Sequence, residues 1–477
     1  MIRFILGQML GVEGVLMLLP ALVAVIYREN SGIYFFITAG ILCLIFLVTG
    51  MKKPERTTLY GKDGMVIVAL AWTLWSLFGA LPFYLSGEIP SYIDAFFETV
   101  SGFTTTGSSI LPNVETLSQC MHFWRSFTHW VGGMGVLVFV LVLTNLDKKS
   151  SMYLMQAEVP GPEKGKLAPK MMTTARILYG IYFGMTALEI ILLLLGGMNL
   201  FDSLVHAFGT AGTGGFSNYA DSVGHFGSAY IDWVIAIFMA LFGINFNLYY
   251  LLLLREWKPV WKNEELRAYI LIILAASGVI AWNVSDSFSG ASEAFRYAFF
   301  QVSSIITTTG FATTDFVKWP MLSQIILVCL MILGACASST GGGIKVSRFL
   351  VILKSIKREL KLMCHPKAVS IIRLNGKKMG DEVLRKISVY LMAYSALAAG
   401  SVLLVSFDNM DFATTFSSVM GTMNNIGPGI GEVGPAGNFS EFSPFSKLVF
   451  CLDMLAGRLE IFPFLVLLTI PVSRKQF

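Results

Sequence analysis

Four segments of this chain end on a glycine preceded by small or oxygen-bearing residues: DAFFETVSGFTTTG (94–107), DSLVHAFGTAGTGG (202–215), YAFFQVSSIITTTG (297–310) and TTFSSVMGTMNNIG (414–427). Each carries a small residue six positions before its last glycine, namely Ser101, Gly209, Ser304 and Gly421. The chemistry such segments support is the coordination of a bare alkali cation. A ring of backbone carbonyls can replace an ion's hydration shell, and glycine permits the backbone angles that turn successive oxygens inward. Four loops around one axis supply that ring from Thr105, Thr106 and Gly107, from Thr213, Gly214 and Gly215, from Thr308, Thr309 and Gly310, and from Asn425, Ile426 and Gly427. Threonine hydroxyls add further oxygens. No catalytic set accompanies them, so an enzyme is not expected. His122, His129, His206, His225 and His365 have no metal-ligand spacing and read as packing or hydrogen-bonding residues.

The elements that must position these loops lie in lipid. The 477 residues are 55% apolar and 14% charged, with a net charge of +5, which excludes a soluble domain. Apolar runs long enough to span a bilayer fall near 4–27, 33–50, 64–85, 124–146, 175–196, 229–254, 266–284, 321–353, 387–406 and 444–471. Polar Gly/Thr/Asn backbone at membrane depth is tolerated only where it lines a wet cavity or is buried in protein. Each loop is therefore expected to follow a half-length helix that enters from outside and aims its negative end at the cation. Most of the 35 basic residues lie in the connectors 51–63, 147–176, 255–267 and 345–386 and in the tail, at Arg474 and Lys475. That face is cytoplasmic, with both termini on it. The opposite connectors are acidic, including Glu98, Glu115, Asp202, Asp221, Asp286 and Glu432, and would concentrate cations at the mouth. The fold class is an all-α polytopic membrane protein. Residues 1–60 form two extra N-terminal helices, and 61–150, 151–262, 263–380 and 381–477 form four helix–pore loop–helix repeats in a pseudo-fourfold arrangement around one pore. The six scattered cysteines read as buried thiols, and Lys354 to Lys386 as a membrane-side basic surface rather than a nucleic-acid patch.

Beneath the loops, Met321–Leu333 is apolar, Gly334–Gly343 is small and polar, and the chain from Ile344 is amphipathic. One helix is thus broken in mid-membrane. Ala335, Ser338, Ser339, Thr340, Gly341, Gly342 and Gly343 read as a flexible gate loop, the alternative being a helix end with a linker. Arg458 stands near the middle of the last span, where insertion costs roughly 2.5–3.5 kcal/mol. It reads either as a structural tie or as a cation barrier. Lys345 is a second candidate pore charge, although a lysine snorkelling to the interface is the reading its position favours.

The motifs TTTGSS, GTGGFSNY, TTTGFATTD and NNIGPGIG resemble the four filter loops of the Trk/Ktr/HKT potassium-transporter superfamily. ACASSTGGGIKVSRF (335–349), AGRLEIF (456–462) and the two extra helices make the chain most similar to its bacterial Trk-H type subunits. The resemblance implies potassium uptake across a bacterial inner membrane, with K+ as the transported ion and no bound cofactor. It also implies a homodimer with one pore per protomer, and a cytoplasmic Trk-A-like ring of nucleotide-binding domains as regulator. The family's one glycine per repeat falls on Gly107, Gly215, Gly310 and Gly427, and Gly107 places the chain with the potassium-permeable class. The second and fourth loops depart from the threonine pattern, which leaves the potassium to sodium ratio open. A sodium- or proton-coupled symporter is the alternative, with Glu189 and Asp453 as the carboxylates within the spans.

Overall fold

The computed structural model describes residues 1–52, 61–135 and 171–473. The basic connector up to residue 170, the inner end of the 124–146 span, Lys53, Arg56, Arg474 and Lys475 lie outside the described residues. Among the described residues six helices are long and apolar enough to cross a membrane. They are the two N-terminal spans, Ile2–Tyr27 and Gly32–Thr49, and the first helix of each repeat, within Lys62–Ser86, Ala175–Leu195, Glu264–Asn283 and Asp381–Asp408. The N-terminal pair packs through a stripe of small residues, as helices in lipid do. A Cβ on Gly7 would lie 2.2 Å from Thr49 Oγ1, and one on Gly11 2.8 Å from the Phe46 ring.

Each first helix is followed by a shorter one: Tyr92–Phe103, Leu200–Gly212, Ala291–Ile306 and Phe412–Met423. At 1.5 Å per residue these reach only about 18–24 Å, less than the hydrocarbon thickness. Three begin with a side-chain cap that satisfies a free N–H, from Ser91, Asn199 and Asp411, while the third starts at Gly290 without one. Their last four residues are buried in every case.

The second helices are where the sequence reading was too narrow, because it expected only one break. Met321–Leu333 does stop at Gly334 and resume at Val346–Cys364. Ala229–Phe242 also breaks, and the following Phe246–Leu253 is turned by 91°. Pro444–Arg458 breaks as well before Phe462–Ser473. There Glu460 and Ile461 both take positive φ, 55° and 68°, and Pro463 has no N–H to continue the ladder. Gln119–Gly133 ends at a left-handed Gly135. Of the four first helices, the one within Lys62–Ser86 is mostly buried, and the other three lie mostly at the surface of the protein.

The basic segment after Cys364 forms a two-stranded hairpin, Arg373–Leu374 with Lys377–Lys378, around Asn375-Gly376. Both turn residues have positive φ, as an Asn-Gly hairpin requires. Of the six cysteines, Cys120, Cys336 and Cys451 are buried, whereas Cys43, Cys329 and Cys364 are exposed on the outer surface of the protein, contrary to a uniformly buried reading.

Candidate functional site

The four half-helices end in the same turn. The N–H of the residue before each last glycine returns to the carbonyl of the small residue already noted: Thr106 to Ser101 at 2.9 Å, and Gly214 to Gly209, Thr309 to Ser304 and Ile426 to Gly421 at 2.8 Å. This helix-ending motif requires a left-handed residue. It is Thr105, Thr213, Thr308 and Asn425, with φ between 55° and 61°. Three of these are β-branched, so the turn is strained at that position. The small residue is needed because the returning strand passes over it. Ser304 Oγ donates to Phe311 O at 2.6 Å, and a Cβ on Gly421 would lie 3.0 Å from Gly427 O and one on Gly209 3.3 Å from Phe216 O.

The last glycines follow with φ of 81°, 76°, 83° and 95° at Gly107, Gly215, Gly310 and Gly427. Their surroundings close a ring. A Cβ on Gly107 would lie 1.9 Å from Gly214 O, on Gly215 2.0 Å from Thr309 O, on Gly310 2.1 Å from Ile426 O, and on Gly427 2.7 Å from Thr106 O. Each strand thus abuts the carbonyl of the next, from the first repeat round to the fourth and back. All twelve residues expected from sequence meet here.

Behind the strands lies a buried polar shell. Arg125 pairs with Glu98 at 2.7 Å with both side chains nearly inaccessible. It also donates to Ser217 O at 3.1 Å and lies 3.9 Å over the Phe216 ring. Asp202 accepts from Asn218 and Tyr219, and burial together with that bond pushes the Tyr219 phenol up to about 12. Glu98 and Asp202 are therefore internal ties and not mouth charges, a correction to the sequence reading. Glu115, Asp221, Asp286 and Glu432 are exposed.

The expected gate loop sits directly below. Gly342 N–H donates to Thr308 Oγ1 at 2.7 Å. A Cβ on Gly342 would lie 2.3 Å from Asn424 O, and one on Gly341 2.8 Å from both Thr307 O and the Ala335 side chain. Ser338 O accepts from Phe246 N, and Ala335 O from Val346 N; Ser339 Oγ donates back to Cys336 O. Glu265, which sequence reasoning passed over, accepts from Ala337 N at 2.7 Å and Ser347 N at 3.1 Å and so pins both ends of the loop.

Arg458 donates to Thr340 O and Gly133 O at 2.8 Å, and to Gly132 O. Two residues on, Glu460 holds Arg348 at 2.5 Å. The snorkelling reading of Lys345 is overturned. Its side chain is buried and its ammonium is turned to the loop carbonyls Gly341 O and Gly342 O. The desolvated amine has those dipoles for partners and is turned into the protein. Glu189 and Asp453 are buried apart from the ring residues, Asp453 accepting from Ser401 Oγ at 2.6 Å.

Residues 33–476 match the model of the TrkH family, described as a cation transport protein. The chain belongs to the TrkH family. It is 38% identical over 463 residues to the Trk system potassium uptake protein TrkH of Salmonella typhimurium, with 95% of each chain covered. It is 33% identical over 469 residues to TrkG of Escherichia coli, with 97% of this chain and 96% of that one covered. The crystal structure of the potassium transporter TrkH from Vibrio parahaemolyticus matches with a TM-score of 0.89 and 34% identity, covering 98% of both chains.

Proposed function

We propose that this protein takes up potassium across the bacterial inner membrane through a channel-like filter, gated by the loop 335–343 and by a cytoplasmic regulatory subunit. The observation that carries the reading is the closed ring of Gly107, Gly215, Gly310 and Gly427, each packed against a neighbouring strand's carbonyl. Such packing holds each strand against its neighbour, so that the carbonyls of the four strands can face one ion. Relatives named as potassium uptake proteins supply the ion. Arg458 and the buried Lys345 place two cationic groups at the loop beneath the ring, where they oppose cation passage until the loop moves. Both termini are cytoplasmic in this reading. The protein works as a homodimer, and a nucleotide-binding ring docks on the basic cytoplasmic surface and biases the loop by binding its open form more tightly.

An inside-negative potential of 100 mV is worth about 2.3 kcal/mol per charge, enough for roughly fiftyfold accumulation without a coupling ion. Radiolabelled rubidium uptake into liposomes is expected to follow voltage and to ignore sodium and pH gradients. Uptake that stops when those gradients are collapsed at fixed voltage assigns the protein to coupled symport instead. Gly107→Ser and Gly310→Ser are expected to lower the potassium to sodium permeability ratio. Gly184→Ser, with nothing within 4 Å of its added Cβ, is expected to leave it unchanged.

A further inference from the structure

The filter strands of repeats 1 and 3 are braced by their own hydroxyls. Thr104 Oγ1 and Thr106 Oγ1 lie 2.8 Å apart, as do Thr307 Oγ1 and Thr309 Oγ1. The first member of each pair is fixed in turn to its half-helix, Thr104 by Val100 O at 2.7 Å and Thr307 by Ser303 O at 2.6 Å. In repeat 2 both positions are glycine, Gly212 and Gly214, so that strand has no hydroxyl brace.

The vacated space is filled by His129, from the second helix of repeat 1. Its side chain is fully buried. A Cβ on Gly214 would lie 2.3 Å from the imidazole Cγ, and one on Gly212 2.2 Å from His129 O. The ring is also 4.2 Å from the Phe216 ring centroid. Its two nitrogens bridge different repeats. Nδ1 is 2.7 Å from Gly102 O, on the first half-helix, and Phe216 N, the residue just past the second filter glycine, is 3.3 Å from Nε2. A backbone N–H only donates and a carbonyl only accepts. These partners therefore put the single proton on Nδ1 and leave Nε2 as acceptor, which is the neutral imidazole.

We propose that His129 is a positioning residue for the ion filter: a neutral imidazole that replaces the missing hydroxyl pair, sets the register of the second strand against the first half-helix, and so tunes discrimination between potassium and sodium. The proposal rests on the filter reading above. It explains why threonine is absent from Gly214, since the same volume cannot hold a side chain and the imidazole, whereas at Gly212 a Cβ would meet the His129 backbone. An exposed strand would not need such a brace, but a carbonyl ring discriminates between ions only while its oxygens stay in place.

The test is the reversal potential of the full-length purified protein in planar bilayers under potassium and sodium. His129→Phe keeps a ring and removes both hydrogen bonds. It is expected to lower the potassium to sodium permeability ratio by about tenfold, the combined factor of two lost hydrogen bonds at the lower end of their range. His129→Gln, whose amide can donate to Gly102 O and accept from Phe216 N, is expected to restore the ratio to within about twofold, as retained bonds require. A second comparison covers the case in which the phenylalanine variant fails to fold. Gly214→Ala is expected to lower the ratio in the wild-type background and to add nothing once His129→Ala has removed the ring. A folded His129→Phe protein with wild-type selectivity, or additive losses in the alanine pair, overturns the proposal. If Gly107→Ser collapses the ratio while the histidine variants leave it intact, this inference fails and the filter reading stands. If Gly107→Ser also leaves it intact, the filter reading itself falls.

Discussion

Repeats 1 and 3 brace their filter strands from within, through Thr104 with Thr106 and Thr307 with Thr309, whereas repeats 2 and 4 are braced from outside. In repeat 2 the brace is His129. In repeat 4 it is Tyr394, whose hydroxyl lies 2.9 Å from Asn424 Nδ2, together with Asn425 Nδ2, which reaches Thr106 Oγ1 at 3.0 Å and Met454 O at 2.9 Å. Yet the backbone is the same in all four, left-handed two residues before the glycine and again at the glycine. A carbonyl ring needs identical backbones and not identical side chains. A single chain can therefore build each quarter of the ring with different packing, provided the turn survives.

The largest expected effects come from breaking that shared backbone. Alanine at Gly107, Gly215 or Gly310 puts a methyl within about 2 Å of a neighbouring carbonyl, and the potassium to sodium ratio is expected to collapse as it does for serine at Gly107. At Gly427 the corresponding approach is 2.7 Å. The clash there is milder, on top of the left-handed cost of roughly 1–2 kcal/mol that all four positions share, and a loss of about tenfold is expected. Equal losses at all four positions would mean that the ring contacts do not rank the strands.

The loop beneath touches one strand of each kind, Thr307 and Thr308 in repeat 3 and Asn424 in repeat 4. Gly342→Ala is expected to push the loop off Asn424 O and raise basal flux several-fold. Gly341→Ala, whose Cβ faces Thr307 O at the looser 2.8 Å, is expected to do so less. Flux into liposomes without the cytoplasmic partner measures both. A well-folded Gly342→Ala protein with wild-type basal flux would remove the loop as the gate.

Much of this was legible in the sequence where a feature is local. The four glycines, the small residue six positions earlier and the broken Met321–Leu333 helix each leave a mark within a dozen residues, because a helix-ending turn and a run of glycines are written in consecutive positions. His129, Glu265 and Tyr394 were not legible as braces, since each acts on a segment remote in sequence and carries no motif of its own. The only trace of the His129 ring is indirect: the loss of threonine at Gly214. The break after Arg458 was hidden because Glu460 and Ile461 are poor left-handed residues, although Pro463 was a usable signal. Glu98 misled for the opposite reason. As one of several acids in outer connectors it read as a mouth charge, and only the fold brings Arg125 to it.

A smaller effect is expected at Tyr394. Phenylalanine there removes the hydroxyl that lies 3.1 Å from Asn424 Oδ1 and 2.9 Å from its Nδ2, but Nδ2 keeps its bond to Met420 O at 2.9 Å. The potassium to sodium ratio is expected to fall by about threefold, the lower range for one hydrogen bond with a remaining partner. A loss as large as that of His129→Phe would show that the two outside braces carry equal weight.

The smallest effects lie at the outer ends of the half-helices, where the third differs from the rest. Asp411 caps the fourth half-helix by accepting from Thr414 N at 3.0 Å, and its bonds with the Thr414 side chain and N–H hold its carboxyl below the usual range. A depressed native pKa stabilises the fold above the unfolded value, about 3.9, and that contribution is lost as pH falls through the native value. Because Asp411 is exposed, the charge itself adds little, and most of the effect is the cap. Asp411→Ala is expected to cost about 1 kcal/mol at neutral pH, and the difference from wild type should shrink on acidification. Gly290, which starts the third half-helix without a side-chain bond, has extended backbone and nothing within 4 Å of an added Cβ. Gly290→Ser is accordingly expected to stabilise by a few tenths of a kcal/mol, about the difference between glycine and serine at a cap. Thermal unfolding in one detergent, read for both variants, decides whether the third half-helix is undercapped: a serine that lowers the midpoint means that the Ser289 N–H to Glu293 contact at 3.1 Å already serves that end and is disturbed by the change.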